Sequence, residues 1–299
     1  MAYTGPCHAN GFALIRGYLR LARPKHWVKN LFVFMPVPFA VASGAALDPR
    51  AFALGLLGFC LTNSSVYAFN DARDAERDRM HPKKRERPVA AGVVSVPGAY
   101  LLSLSLLVAG LALALASGTW GAPVLVGVYV TVNLFYSLGA KHVALLDVFL
   151  LSSGFVLRVL LGCALLQVRA SNWLLLCSYA LALFLALAKR RGDLVKGVGG
   201  EHRPALAGYN TSFLDHAMGI TAGMSIIAYA LYCLEGVVLI QGREFASLPF
   251  VVFGVLEYLR VAHVRGEGAA PTDLLLSSPT ILISGLGWAA AILWSVRGP

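Results

Sequence analysis

Apolar runs of membrane-spanning length recur along this chain from residue 31 to residue 296, and no other feature restricts the fold so strongly. About 17–25 mostly apolar residues carry an α-helix across the hydrocarbon layer, where each backbone N–H and C=O must be satisfied within the segment. Spans are expected near 31–47, 52–69, 97–117, 121–138, 145–166, 173–188, 214–240, 245–262 and 274–296. The expected fold is an all-α integral membrane protein, a single nine-helix membrane domain over 31–299 behind a leader over 1–30. Composition agrees: 58% of the 299 residues are hydrophobic and 13% charged, against about 45–50% apolar and about 25% charged in ordinary globular chains. That excludes a soluble single-core enzyme, a disordered chain and a fibrous one. The five cysteines are odd in number and lie mostly inside apolar runs, which suits small core residues and neither a disulfide frame nor a zinc site.

A net charge of +10 on so apolar a chain has to collect in the connections. Gly11 to Arg23 sets Phe12, Leu14, Ile15, Leu19 and Leu21 against Arg16, Arg20 and Arg23, the pattern of an amphipathic helix lying on a membrane surface. With nine spans, twenty of the 25 lysines and arginines fall on the leader's side. The positive-inside rule then puts the N-terminus and the long charged loops in the cytoplasm, in a multi-pass protein of the cell (inner) membrane. No signal-peptide stretch precedes residue 30, so the first span is expected to act as the insertion signal. Cations interleaved with spans and carboxylates, instead of forming one stripe, argue against nucleic acid as a partner.

The chemistry is concentrated where spans end. Asn70, Asp71, Asp74 and Asp78 leave the second span with no helix breaker before Pro82, and helical spacing stacks the amide and three carboxylates on one face. Like charges so placed repel unless they share a cation, and hard oxygen donors at a membrane boundary suit Mg²⁺. The bland alternative is a solvated helix end neutralised by Arg73 and Arg77. The loop that follows, from His81 to Pro88, combines Lys83, Lys84, Arg85 and Arg87 with two prolines, a compact group able to reach phosphates or anionic lipid. Tyr136 and Lys141 mark the exit of the fourth span; Lys189, Arg190 and Asp193 mark that of the sixth. Asp147 and Arg158 lie three turns apart in the fifth span. An arginine inside a span needs a paired acid or a polar cavity, so Arg158 is either a structural ion pair or an anion ligand.

The Asn-Asp-x-x-Asp-x-x-x-Asp stretch at 70–78, the Tyr-Ser-x-x-x-Lys at 136–141 and the nine-span layout resemble the UbiA superfamily of intramembrane prenyltransferases. Arg23 to Asn30, the loop from His81 to Gly92, and Lys189-Arg190 resemble more closely its decaprenyl-phosphate phosphoribosyltransferase branch. The resemblance implies a helical bundle with a cytoplasm-facing cavity, in which Asn70, Asp71, Asp74 and Asp78 hold Mg²⁺ against a donor pyrophosphate. It implies phosphoribosyl pyrophosphate as donor, held by Lys29, Lys83, Arg87, Tyr136, Lys141, Lys189 and Asp193. The acceptor would be a membrane polyprenyl phosphate whose head lies near Arg158, Arg190 or the leader arginines, Arg20 among them, and the usual fate of the product is an arabinosyl lipid for cell wall biosynthesis. It leaves a homo-oligomer open. Two departures stand out: His26 replaces an expected glutamine, and the usual second aspartate-rich motif is cationic apart from Asp193. The rival readings are a prenyltransferase acting on an aromatic acceptor and a transporter or anion channel.

Overall fold

The computed structural model describes residues 11–81, 84–197, 204–235, 239–264 and 278–296. They are helical nearly throughout: α1 (Gly11–Ala22), a 3₁₀ segment (Pro24–Phe34), α2 (Val37–Ala42), α3 (Pro49–Arg73), α4 (Ala75–Arg79), α5 (Val96–Ala116) and α6 (Gly121–Leu138). There follow α7 (Leu146–Leu165), α8 (Asn172–Val195), α9 (Thr211–Glu235), α10 (Leu248–Val264) and α11 (Pro279–Ser295). Among the described residues, six helices, α3 and α5 to α9, are long and apolar enough to cross a membrane. The helices α10 and α11 have 17 residues each, about 25 Å at 1.5 Å per residue.

Among the described residues the nine expected spanning helices are not all seen: α10 and α11 are shorter than the six, and 31–47 is not one helix. The 3₁₀ turn and the six-residue α2 occupy it. Pro36 and Pro38 remove two backbone donors there and restrict the residues before them, so the run is apolar without being able to propagate an α-helix. Residues 274–277 of the last expected span lie outside the described residues.

The chain divides into two compact units, residues 1–31 with 49–134, and residues 32–48 with 135–299. In the first, α3 packs on α5 through small and polar residues. An added Cβ at Gly58 would lie 2.6 Å from the Gly110 carbonyl oxygen, and one at Gly110 would lie 2.7 Å from that of Gly58. The helices thus approach backbone to backbone. Ser65 and Ser103 hydrogen-bond across them at 3.1 Å, and Tyr129 donates to Asn63 at 3.1 Å. The outer face of α5 carries Leu101, Leu104, Val108, Leu111 and Leu115, all exposed. Large apolar residues outside and small or polar ones inside is the arrangement of a helix solvated by lipid.

Helix α1 is fixed to this unit. Leu21 is wholly buried with Ala68, Ala72, Val89 and Val94. A Cβ at Gly17 would meet Val93 at 2.9 Å, so only glycine lets the helix lie so close. The second unit is built on α8, whose Leu183, Phe184 and Leu187 pack with Leu214, Met218, Tyr258 and Val261. A further cluster joins Val159, Cys163 and Tyr232 to Phe32, Met35 and Phe39.

Candidate active site

At the end of α3 the helix stops at Arg73, yet the backbone bonds Asp74 N to Asn70 O (2.9 Å) and Asp78 N to Asp74 O (2.8 Å) carry the turn into α4. The expected helical continuation therefore holds, with a break at Asp74. Asp71 and Asp78 are buried at 2% exposure. Asn70 and Asp74 are half-buried, and Arg73 and Arg77 point outward as exposed residues.

The ion pairs of the two buried carboxylates come from elsewhere in the sequence. Arg23 Nη2 donates to both oxygens of Asp71, at 2.6 and 2.8 Å. Arg87 Nη1 donates to Asp71 at 3.0 Å and to Asp78 at 2.8 Å, so one nitrogen is shared between the acids. Lys84 lies 3.9 Å from Asp78. Burial nevertheless holds the Asp78 carboxyl above its ordinary value, against the pull of Arg87 and Lys84. The segment that brings Arg23 here is pinned by Trp27 donating to Ser64 (2.9 Å) and by Asn30 bonding Cys60 (3.1 Å). The Arg23 backbone has φ +51° and its guanidinium lies over the Tyr67 ring at 5.0 Å.

Among the described residues no three acidic, histidine or cysteine side chains form a ready metal cage. Mg²⁺ does not ask for one, since it keeps several waters and is usually bound through one or two carboxylates plus substrate phosphates. Asp71 and Asp78 already converge on one cationic atom. That donor set fits a small hard cation.

A second buried polar cluster lies within the second unit. Arg190, 1% exposed, donates from Nε to Asp147 at 2.6 Å and from Nη1 to Asp193 at 3.4 Å. Tyr209 donates to the other Asp147 oxygen at 2.8 Å and accepts from the Leu145 backbone N–H at 2.6 Å. Leu145 takes the left-handed φ of +67° where the chain enters α7. Asp147 therefore pairs with Arg190, not with Arg158 three turns along its own helix. Arg158, 4% exposed, donates to the Gly154 carbonyl at 2.6 Å and lies over the Phe155 ring.

Of the residues singled out in the sequence, Asn70, Asp71, Asp74, Asp78, Arg87, Lys29 and Arg20 lie in the first unit. Tyr136, Lys141, Arg158, Lys189, Arg190 and Asp193 lie in the second, with Lys189 exposed on the last turns of α8. Lys83 lies outside the described residues. Arg23 and Tyr209 were not among the expected site residues. Arg23 did stand in the quoted Arg-Pro-Lys-His-Trp stretch, whereas nothing local marks Tyr209, 62 residues from Asp147.

The sequence profile of the UbiA prenyltransferase family matches residues 30–271. The chain is 32% identical to the decaprenyl-phosphate phosphoribosyltransferase of Corynebacterium glutamicum over 95% of its own length and 87% of that protein's. It is 32% identical to the Mycolicibacterium smegmatis protein of that name, over 93% of this chain and 92% of the other. Its fold is similar to that of a UbiA homologue from Archaeoglobus fulgidus solved with GPP and Mg²⁺, with a TM-score of 0.72 and 21% identity over 93% of this chain and 98% of that one. The chain therefore belongs to the UbiA prenyltransferase family.

Proposed function

We propose that this multi-pass membrane transferase moves a 5-phosphoribosyl group from phosphoribosyl pyrophosphate to a polyprenyl phosphate, releasing pyrophosphate, with the N-terminus and the site on the cytoplasmic side of the cell membrane. The observation that carries the reading is the pair of buried carboxylates, Asp71 and Asp78, sharing one cation at the exit of a spanning helix, in a chain whose relatives bear that name over nearly their whole length. Asp71 and Asp78, with Asn70 and Asp74 beside them, would hold Mg²⁺. When bound, the ion supplies positive charge to the leaving pyrophosphate.

The chain's own groups do the rest. Arg87 and Lys84 stand beside the acids, and Lys29, in the same unit, would supply a further cation for the donor's phosphates. The nucleophile is a lipid phosphate oxygen, already ionised near neutral pH, which bonds to the ribose C1 as the C1–O bond to pyrophosphate breaks. No general base is required, and catalysis rests on alignment and on neutralising the leaving group. The test is purified protein with phosphoribosyl pyrophosphate, Mg²⁺ and radiolabelled polyprenyl phosphate. A labelled phosphoribosyl lipid supports the reading. Turnover only with a prenyl diphosphate and an aromatic acceptor overturns it.

A further inference from the structure

The first unit contains a cavity of about 570 Å³ that opens beside Asp71 and is bounded by α1, the residues that follow it, and the loop at Glu86 to Pro88. Five cations line it, Arg16, Arg20, Arg23, Lys25 and Arg87, against two carboxylates, Asp71 and Glu86. Arg23 and Arg87 are engaged by the buried aspartates. Arg16, Arg20 and Lys25 have no acidic partner among the described residues, and Arg20 makes only a 3.4 Å bond to the Glu86 carbonyl. Among the described residues no carboxylate pairs with these three cations, which suits them to an anion from outside the chain.

The form of α1 says what carries the anion. At about 100° per residue, Phe12, Ile15 and Leu19 share one face and Gly17 and Leu21 nearly the opposite one, with Arg16 and Arg20 in the band between. Gly17 and Leu21 are buried against the unit, while Phe12, Ile15 and Leu19 are exposed at 78%, 62% and 60%. Leu19 also lines the cavity. The apolar face thus runs directly to the arginines, and from them to the acid proposed to hold the metal. A ligand matching this order has a phosphate head on a long apolar tail. By contrast, Arg158 and Arg190 are buried and donate to protein oxygens.

We propose that this cavity is the subsite for the phosphate of the lipid acceptor, with Arg16 and Arg20 as its ligands and the tail lying along the Phe12, Ile15 and Leu19 face. The proposal rests on the transferase reading above and adds to it where the acceptor binds. It predicts that full-length protein in detergent binds farnesyl phosphate but not farnesol. The Arg16→Gln/Arg20→Gln variant should weaken that binding at least about ten-fold, as loss of charge-assisted bonds requires, while phosphoribosyl pyrophosphate affinity stays within two-fold. Arg16→Lys/Arg20→Lys should restore most of it, and the single Arg20→Gln change, at an exposed position, serves if the double variant does not fold. Unchanged farnesyl phosphate affinity in the variants overturns the proposal. So does equal competition by phosphatidylglycerol vesicles, which would make the arginines a general membrane anchor. Because binding is read without turnover, a wild-type protein that binds farnesyl phosphate but transfers nothing from phosphoribosyl pyrophosphate counts against the transferase reading alone.

Discussion

Two aspartates buried at 2% exposure in an apolar bundle need a reason to be there, since an uncompensated buried charge is costly. In this protein the compensation comes from Arg23 and Arg87, and the same convergence makes the pair suited to a divalent ion. If Mg²⁺ takes the place that Arg87 Nη1 holds between the acids, the ion and the guanidinium are alternatives. Arg87→Met should therefore destabilise the chelator-treated protein by about 1–3 kcal/mol, toward the low end because Arg87 keeps 30% exposure. The loss should shrink at millimolar Mg²⁺; an equal loss with and without the ion, read by thermal melting, would mean that Arg87 is only structural. Asp78 adds a pH signature. Its carboxyl is raised above 3.8 by burial, so the folded state binds a proton where the unfolded state does not, and this group's contribution to stability rises as pH falls through the range above 3.8. In metal-free protein Asp78→Asn should remove that slope from the unfolding midpoint measured against pH. The aspartates themselves were legible from helical spacing. Their partners were not, because Arg23 lies 48 residues from Asp71 and only tertiary packing brings them together.

Most helices could be read from apolar length, and α3 and α5 to α9 match their expected spans to within a few residues at most ends. The failure at 31–47 has a local cause in Pro36 and Pro38, which hydropathy does not register. Two helices run past their expected ends, α3 to Arg73 and α8 to Val195. In both cases the extra turns carry charged residues out of the apolar stretch, so Asn70, Asp71, Lys189, Arg190 and Asp193 stand on helix and not on loop. Helix contacts are harder to foresee, since Gly58 and Gly110 look like ordinary small residues until their backbones are seen to touch. Gly110→Leu should separate α3 from α5 and sharply lower the yield of folded protein, whereas Gly127→Leu, in open space on α6, should be tolerated; equal yields in detergent extraction would contradict this packing. Tyr209→Phe leaves the Leu145 N–H without its acceptor and Asp147 without one donor. It should cost about 1–3 kcal/mol in thermal or denaturant unfolding, and a neutral result would show that the cluster does not hold the start of α7.

For the molecule as a whole, apolar runs and basic connections placed the chain in a membrane, while the transferase activity came from the resemblance of its motifs to the UbiA superfamily, and family membership agrees with that resemblance. What the sequence could not separate was which cations are engaged by protein carboxylates and which remain for ligands. Arg190 was expected near the acceptor phosphate and lies 1% exposed on Asp147, while Arg16, one of the leader arginines also expected there, lines a cavity beside Asp71. The account turns on whether the acids at the α3 exit take a divalent ion or serve only their guanidinium partners. Mn²⁺ binding followed by electron paramagnetic resonance, with phosphoribosyl pyrophosphate present, decides it. Wild-type protein should hold Mn²⁺, and Asp71→Asn and Asp78→Asn should each lose it with the fold intact; variants that bind Mn²⁺ as the wild type does would contradict the account.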